Sequence, residues 1–157
     1  MDPELEVRPA KPKHYRPIWE AAKEAFRDSW QYSEDWFSDE AYESWQQHPT
    51  FQPELWQIAW DGNQVAGMVQ SFIHREENEE YNRKRGYTED ICVRLPWRRQ
   101  GLARALIARS FGILKEQGME EAALGVDTQN QNGALQLYES MGFRPVKRHS
   151  VYRKLMD

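Results

Sequence analysis

An apolar run, Ile91-Cys92-Val93, passes through Arg98-Arg99-Gln100-Gly101-Leu102-Ala103 into a long helical pattern, and a second apolar run follows at 121–126. Two strands joined by a helix in this way lie parallel in one sheet, the helix crossing over in the right-handed sense. The junction also has chemical content. A glycine at the first helical turn lets backbone N–H groups approach an anion, and those groups carry the positive end of the helix dipole. Arg98 and Arg99 add charge suited to phosphate oxygens. The junction therefore reads as a pyrophosphate cradle, against the plainer reading of an exposed loop capping a helix. Neither a Gly-x-x-x-x-Gly-Lys-Ser/Thr run nor a Gly-x-Gly-x-x-Gly fingerprint is present.

The rest of the 157 residues organise around this crossover as a single domain spanning 1–157. A short strand at 5–7 precedes a helix at 14–30, whose stripe is Ile18, Ala21, Ala22, Ala25 and Phe26. Ser38-Asp39-Glu40 caps a second helix bearing Tyr42 and Trp45, finished before Pro49. Segments 55–60 and 64–73 form a hairpin about Asp61-Gly62-Asn63. The stretch 76–86 lacks apolar periodicity and reads as a solvated loop, followed by a strand at 87–93. The helix at 101–117 turns Ala103, Leu106, Ile107, Phe111 and Leu114 inward and closes at Gly118. A strand at 121–126, a helix at 133–141 closed by Gly142, and an extended segment at 143–155, broken at Pro145, complete the chain. The order β-α-α-β-β-β-α-β-α-β predicts an α/β fold with a mixed sheet.

Composition removes several classes. A net charge of −4 argues against a nucleic-acid binder. One cysteine, Cys92, excludes an internal disulfide and a cysteine-based zinc cluster, and His14, His48, His74 and His149 show no metal-ligand spacing, so no metal is expected. No apolar run approaches a membrane span, and the acidic start lacks the apolar core of a signal peptide. A cytoplasmic location is the expectation.

A second motif follows the cradle by one strand: Val126-Asp127-Thr128-Gln129-Asn130, then Gly133-Ala134-Leu135-Gln136-Leu137-Tyr138-Glu139-Ser140-Met141-Gly142-Phe143. In this order and spacing the two segments resemble the GNAT superfamily of acetyl-coenzyme A-dependent N-acetyltransferases, over residues 87–143. Gly86-Tyr87-Thr88-Glu89, Pro96-Trp97-Arg98-Arg99 and Val151-Tyr152-Arg153-Lys154 further resemble halves of tandem proteins akin to mycothiol synthase. The resemblance implies the GNAT fold with splayed central strands and acetyl-coenzyme A as co-substrate. It also implies that the exposed backbone of Ile91, Cys92 and Val93 pairs with the pantetheine arm. An N–H near Ile91 or Cys92 would polarise the thioester carbonyl, and Arg98, Arg99, Gln100, Gly101, Leu102 and Ala103 would hold the pyrophosphate.

On the same resemblance Tyr138 is the general acid for the departing thiolate, its alternative being a packing tyrosine. Glu89 shares strand parity with Ile91 and Val93 and is the candidate base, Asp90 pointing the other way, against a merely solvated glutamate. Asn130 stands eight residues before Tyr138, where many members show seven, so either Asn130 or Asn132 takes the coenzyme-contacting place. Cys92, inside an apolar strand, reads as an inert thiol. The acceptor region implied by the fold holds Trp30, Tyr32, Trp36, Tyr42, Trp45 and Phe51 with Glu76, Glu77, Glu79 and Glu80. That set suits a cationic amine if it is not simply core and solvated loop. The expected partners are acetyl-coenzyme A and a small amine or amino-group substrate, without nucleic acid or membrane, and a homodimer is the candidate assembly. The competing reading is a non-catalytic acyl-coenzyme A-binding module, such as a degenerate half of a tandem protein.

Overall fold

The computed structural model describes residues 4–27, 33–125, 134–145 and 151–156. Helix α1 (Tyr15–Phe26) buries the expected stripe, Ile18, Ala21, Ala22 and Ala25, together with Trp19. Helix α2 (Asp39–Gln47) begins where Ser38 Oγ accepts a bond from the Ala41 N–H, with Asp39 and Glu40 favouring the positive end of the dipole. The hairpin forms from β2 (Gln57–Asp61) and β3 (Gln64–Phe72), turning at Gly62 with φ +60°. β1 (Glu6–Arg8) pairs with the outer edge of β2.

The stretch expected to be a solvated loop contains a helix, α3 (Arg75–Glu80). It is held by contacts that periodicity does not report: the His74 ring accepts from the Glu77 N–H, and Asn78 bonds the backbone of Arg85. Strand β4 (Arg85–Val93) consequently starts two residues earlier than the sequence suggests. Helix α4 (Leu102–Glu116) follows, then β5 (Glu121–Gly125), α5 (Ala134–Ser140), β6 (Arg144–Pro145) and β7 (Val151–Leu155).

Among the described residues seven strands make one mixed sheet in the order β1-β2-β3-β4-β5-β7-β6, antiparallel except where β4 meets β5. Each face carries its own core. Leu102, Leu106, Ile107 and Leu114 of α4 pack with Val69, Leu124, Tyr138 and Phe143 on one side. Ile18, Ala21 and Ala22 of α1 pack with Trp56, Ile58 and Met68 on the other. Two irregularities shape what lies between them. The parallel contact joins only Arg85, Gly86 and Tyr87 to Glu121, Ala122 and Ala123, so among the described residues β4 has no ladder partner on that side beyond residue 87. Opposite, the register to β3 shifts: Cys92 pairs with Met68 but Glu89 with Gln70, leaving Asp90 and Ile91 against Val69 alone. This is a bulge in β4, and Asp90 takes it up with φ +50°.

Candidate active site

The bulge changes where the β4 side chains go. Residues directly opposite in a ladder share a face, so Glu89 follows Gln70 and Cys92 follows Met68, and both lie on the α1 side. Ile91 and Val93 pack on the α4 side. Unbroken alternation had put Glu89 with Ile91 and Val93 and had turned Asp90 away. The inserted residue reverses that parity, and Asp90 comes to line a pocket together with Gln70.

Glu89 reaches over the open seam, where its Oε1 accepts the Gly125 N–H at 2.9 Å. Burial is the main influence on its carboxyl group and, with help from the Asp90 charge, pushes it up to about 7 against the opposing Gly125 bond. Tyr138 descends from α5 into the α4-side core, its ring edge-on to Phe143 with centroids 6.2 Å apart. Burial first, then the electrostatic influence of Glu89 and Cys92, pushes its phenol up to about 12. Tyr138 thus packs as a core tyrosine while lying within electrostatic reach of the seam. Burial also pushes the Cys92 thiol far above its ordinary value, which leaves it protonated and unreactive.

The cradle lies at the C-terminal end of β4. Arg99 (φ +64°) and Gly101 (φ +77°) are both left-handed and bracket Gln100; all three are exposed. No side chain caps α4 and no acidic residue occupies its first turn; its opening bond runs from the Ala105 N–H to the Gly101 carbonyl. The N–H groups of Leu102, Ala103 and Arg104 therefore have no partner within the helix. Leu102 sinks its side chain into the core and so anchors the turn. A β-carbon built on Gly101 meets nothing within 4 Å, so the positive φ alone calls for glycine and open space lies before the N–H groups. An uncapped helix end facing open space fits a diphosphate. Arg98 departs from expectation. Its Nε donates to the Val93 carbonyl at 2.8 Å and its Nη2 to the Ala25 carbonyl at 3.1 Å, tying β4 to α1 instead of projecting toward an anion. Asn130 and Asn132 lie outside the described residues, as do Trp30 and Tyr32.

On the α1 side, a pocket of about 260 Å³ opens between α2 and the β3–β4 pair. Trp45 and Phe51, both expected near an acceptor, line it, and Trp45 stacks on Trp56 with centroids 5.3 Å apart. Trp56, Gln70, Phe72 and Asp90 line it too, with Ser44, His48 and Thr50, none of them among the acceptor residues expected from the sequence. Strand parity along β3 pairs Gln70 with Phe72; only the bulge adds Asp90. The acidic set is elsewhere: Glu77 accepts from the Tyr87 hydroxyl and from Arg83, and none of Glu76, Glu77, Glu79 and Glu80 lines the pocket. Among the described residues no His/Cys/Asp/Glu cluster suits a metal ion, and no helix is long and apolar enough to cross a membrane.

Residues 17–143 match the model of the Acetyltransferase (GNAT) family. The chain is 39% identical over 74 residues to N-alpha-acetyltransferase MAK3 of Arabidopsis thaliana, covering 46% of this chain and 38% of that one. It is 29% identical over 105 residues to N-alpha-acetyltransferase 30 of Schizosaccharomyces pombe, covering 67% and 66%. The matched region thus spans less than two thirds of either relative. In fold the chain is similar to a crystal structure of PaiA N-acetyltransferase from Thermoplasma acidophilum in complex with coenzyme A. The TM-score is 0.69 at 19% identity, over 97% of this chain and 99% of that one.

Proposed function

The chain belongs to the acetyltransferase (GNAT) family, and from that premise we propose that it transfers the acetyl group of acetyl-coenzyme A to a primary amine in a ternary complex. The observation that carries this reading is the open edge of β4 leading straight to the uncapped end of α4. Bound acetyl-coenzyme A would supply an electrophilic thioester carbonyl and a thiol leaving group. The backbone around Gly101, Leu102 and Ala103 would hold the diphosphate, and the edge at Ile91, Cys92 and Val93 that β5 leaves unpaired would meet the amide-bearing arm, the Val93 carbonyl being already taken by Arg98. Arg98 contributes by fixing the end of β4 to α1, so the edge and the cradle keep one relative position.

Glu89, raised to about 7, is roughly half ionised at neutral pH and suited to accept a proton from an ammonium directly or through one water. The amine gives up that proton before attack and a second when the amide forms; the sulfur takes one up, and the balance leaves to solvent. Tyr138 would supply the sulfur with its proton. A phenol at about 12 stands well above an ordinary thiol at about 8.5, which disfavours full transfer in water. The seam narrows that gap, since the burial that raises Cys92 raises any other thiol placed there. Tyr138 then acts first as a hydrogen-bond donor and completes transfer as the C–S bond breaks.

The two curated relatives carry N-alpha-acetyltransferase names, so the α-amine of a peptide belongs among the acceptors to try. We take residues 1–157 as one catalytic domain working in the cytoplasm, in keeping with a single cysteine left free. A purely coenzyme-binding module is the weaker reading, because Tyr138 lies within electrostatic reach of Glu89 beside the open edge of β4. Calorimetry with coenzyme A, paired with thiol release in the presence of amines, tests the proposal. Wild type should bind and turn over. Tyr138→Phe should bind equally and lose about 10²-fold or more in turnover, and Gly101→Glu should stay folded by circular dichroism yet fail to bind. Failure of the wild type to bind the coenzyme sinks the reading.

A further inference from the structure

The pocket beneath α2 has three properties that belong together. Its wall is aromatic on three sides, from Trp45 and its stacked partner Trp56, from Phe51 set edge-on to both, and from Phe72 of β3. Its lining includes Asp90, with which no described side chain pairs and whose carboxyl is pushed by burial above the usual carboxylate range. That carboxylate stands there because β4 accommodates an extra residue in a left-handed conformation, a distortion that a non-glycine residue adopts at some cost. The same bulge lies directly between Glu89 and the open edge at residues 91–93.

We propose that this pocket is the acceptor site, and that it selects primary amines carried close to a flat apolar group, the ring between Trp45, Phe51 and Phe72 and the ammonium at Asp90. The inference rests on the acetyl-transfer reading and adds a substrate class to it. A volume of about 260 Å³ is below that of most drug-sized pockets, so it admits one ring and its short chain. Aromatic faces attract a cation as well as a ring, and Asp90 gives that cation a direction, toward β4. Gln70 keeps the wall in place: its Oε1 accepts the Trp45 indole N–H at 3.2 Å, which leaves its amide nitrogen only the Met68 sulfur, 3.2 Å away. An arylalkylamine and a peptide with N-terminal phenylalanine present the same chemistry, and the test separates them.

Two substitutions isolate the pocket. Asp90→Asn removes the charge while keeping a residue type that tolerates left-handed backbone. Ser44→Phe, at an exposed position of α2 on the pocket lining, fills the cavity from outside. Initial rates of thiol release are compared for phenethylamine, hexylamine and a Phe-initiated peptide. The ring-bearing amines should show KM values at least about tenfold below hexylamine. Both variants should raise those values about tenfold while the KM for acetyl-coenzyme A moves less than twofold. If phenethylamine and the peptide differ strongly, the better of the two identifies the source. A second readout needs no turnover: phenethylamine should quench the tryptophan fluorescence saturably, 3-phenylpropionate should not, and Ser44→Phe should abolish the quench. Equal KM values for ring-bearing and ring-less amines, or variants indistinguishable from wild type in both assays, overturn the proposal. Saturable quenching without acetylation of any amine, by a protein that binds coenzyme A, keeps the pocket and overturns the transfer reading instead.

Discussion

Glu89 shows most directly how environment sets the behaviour of a single residue. In an exposed strand it would titrate near 4.5; partly buried over the seam, it titrates near 7. The folded state therefore holds a proton that the unfolded chain releases. Its contribution to stability is fully present below about pH 4.5 and is lost as the pH rises through about 7. Glu89→Gln keeps an oxygen for the Gly125 N–H and removes the titration. The variant should gain stability over wild type, by as much as roughly 3 kcal/mol at pH 8 and little at pH 4.5. Denaturant melts at the two pH values measure this, and an equal difference at both excludes a raised carboxyl. Activity should show the counterpart: kcat/KM of the wild type should climb through an apparent pKa near 7, with that limb flattened in Glu89→Gln. That Glu89 deserved attention was legible in the sequence; its face was not, because parity counting assumes an unbroken ladder.

At the scale of elements, helix α4 sets the height of the cradle above β4, and a tight contact at Gly86 is part of its seating. A β-carbon on Gly86 would stand 2.5 Å from Leu114 Cδ2 and 2.8 Å from its Cδ1. Leu114 is fully buried and has little room to turn aside. Gly86→Ala should accordingly destabilise by about 1–3 kcal/mol. Combined with Leu114→Ala it should cost less than the sum of the two single changes, since the shortened side chain relieves the clash. Additive values from chemical denaturation would show that α4 is not seated there. The helices α1, α2 and α4 were readable from apolar stripes, caps and closing glycines. Helix α3 was not, for its side chains are held by the turn and strand that follow it, Asn78 by Arg85 and Glu77 by Arg83 and Tyr87, and such pairings leave no apolar stripe. Arg98 is a related case. A charge beside an anion site invites pairing with the anion, yet two carbonyls from distant segments claim its guanidinium.

Across the whole molecule, the two cores share one sheet, so each face depends on the other. Phe143, fully buried against Phe111 and Tyr138, belongs to the α4 side, whereas Trp19, Trp45, Trp56 and Trp60 cluster on the α1 side. Phe143→Ala should cost about 3–5 kcal/mol. Tryptophan fluorescence and far-ultraviolet circular dichroism should still report a single, shifted transition. Separate transitions would mean that the faces unfold independently. The amino-acid sequence by itself determined the element order, the crossover, the glycine-started helix and the family resemblance, because each is written in short-range spacing and backbone preference. Tertiary structure decided which face Glu89 and Asp90 occupy, what Arg98 holds, and that Trp56, Gln70 and Phe72 wall a pocket with Trp45. Those outcomes depend on the register of β3 against β4 and on how far β5 parts from β4, both set by contacts between segments far apart in the chain.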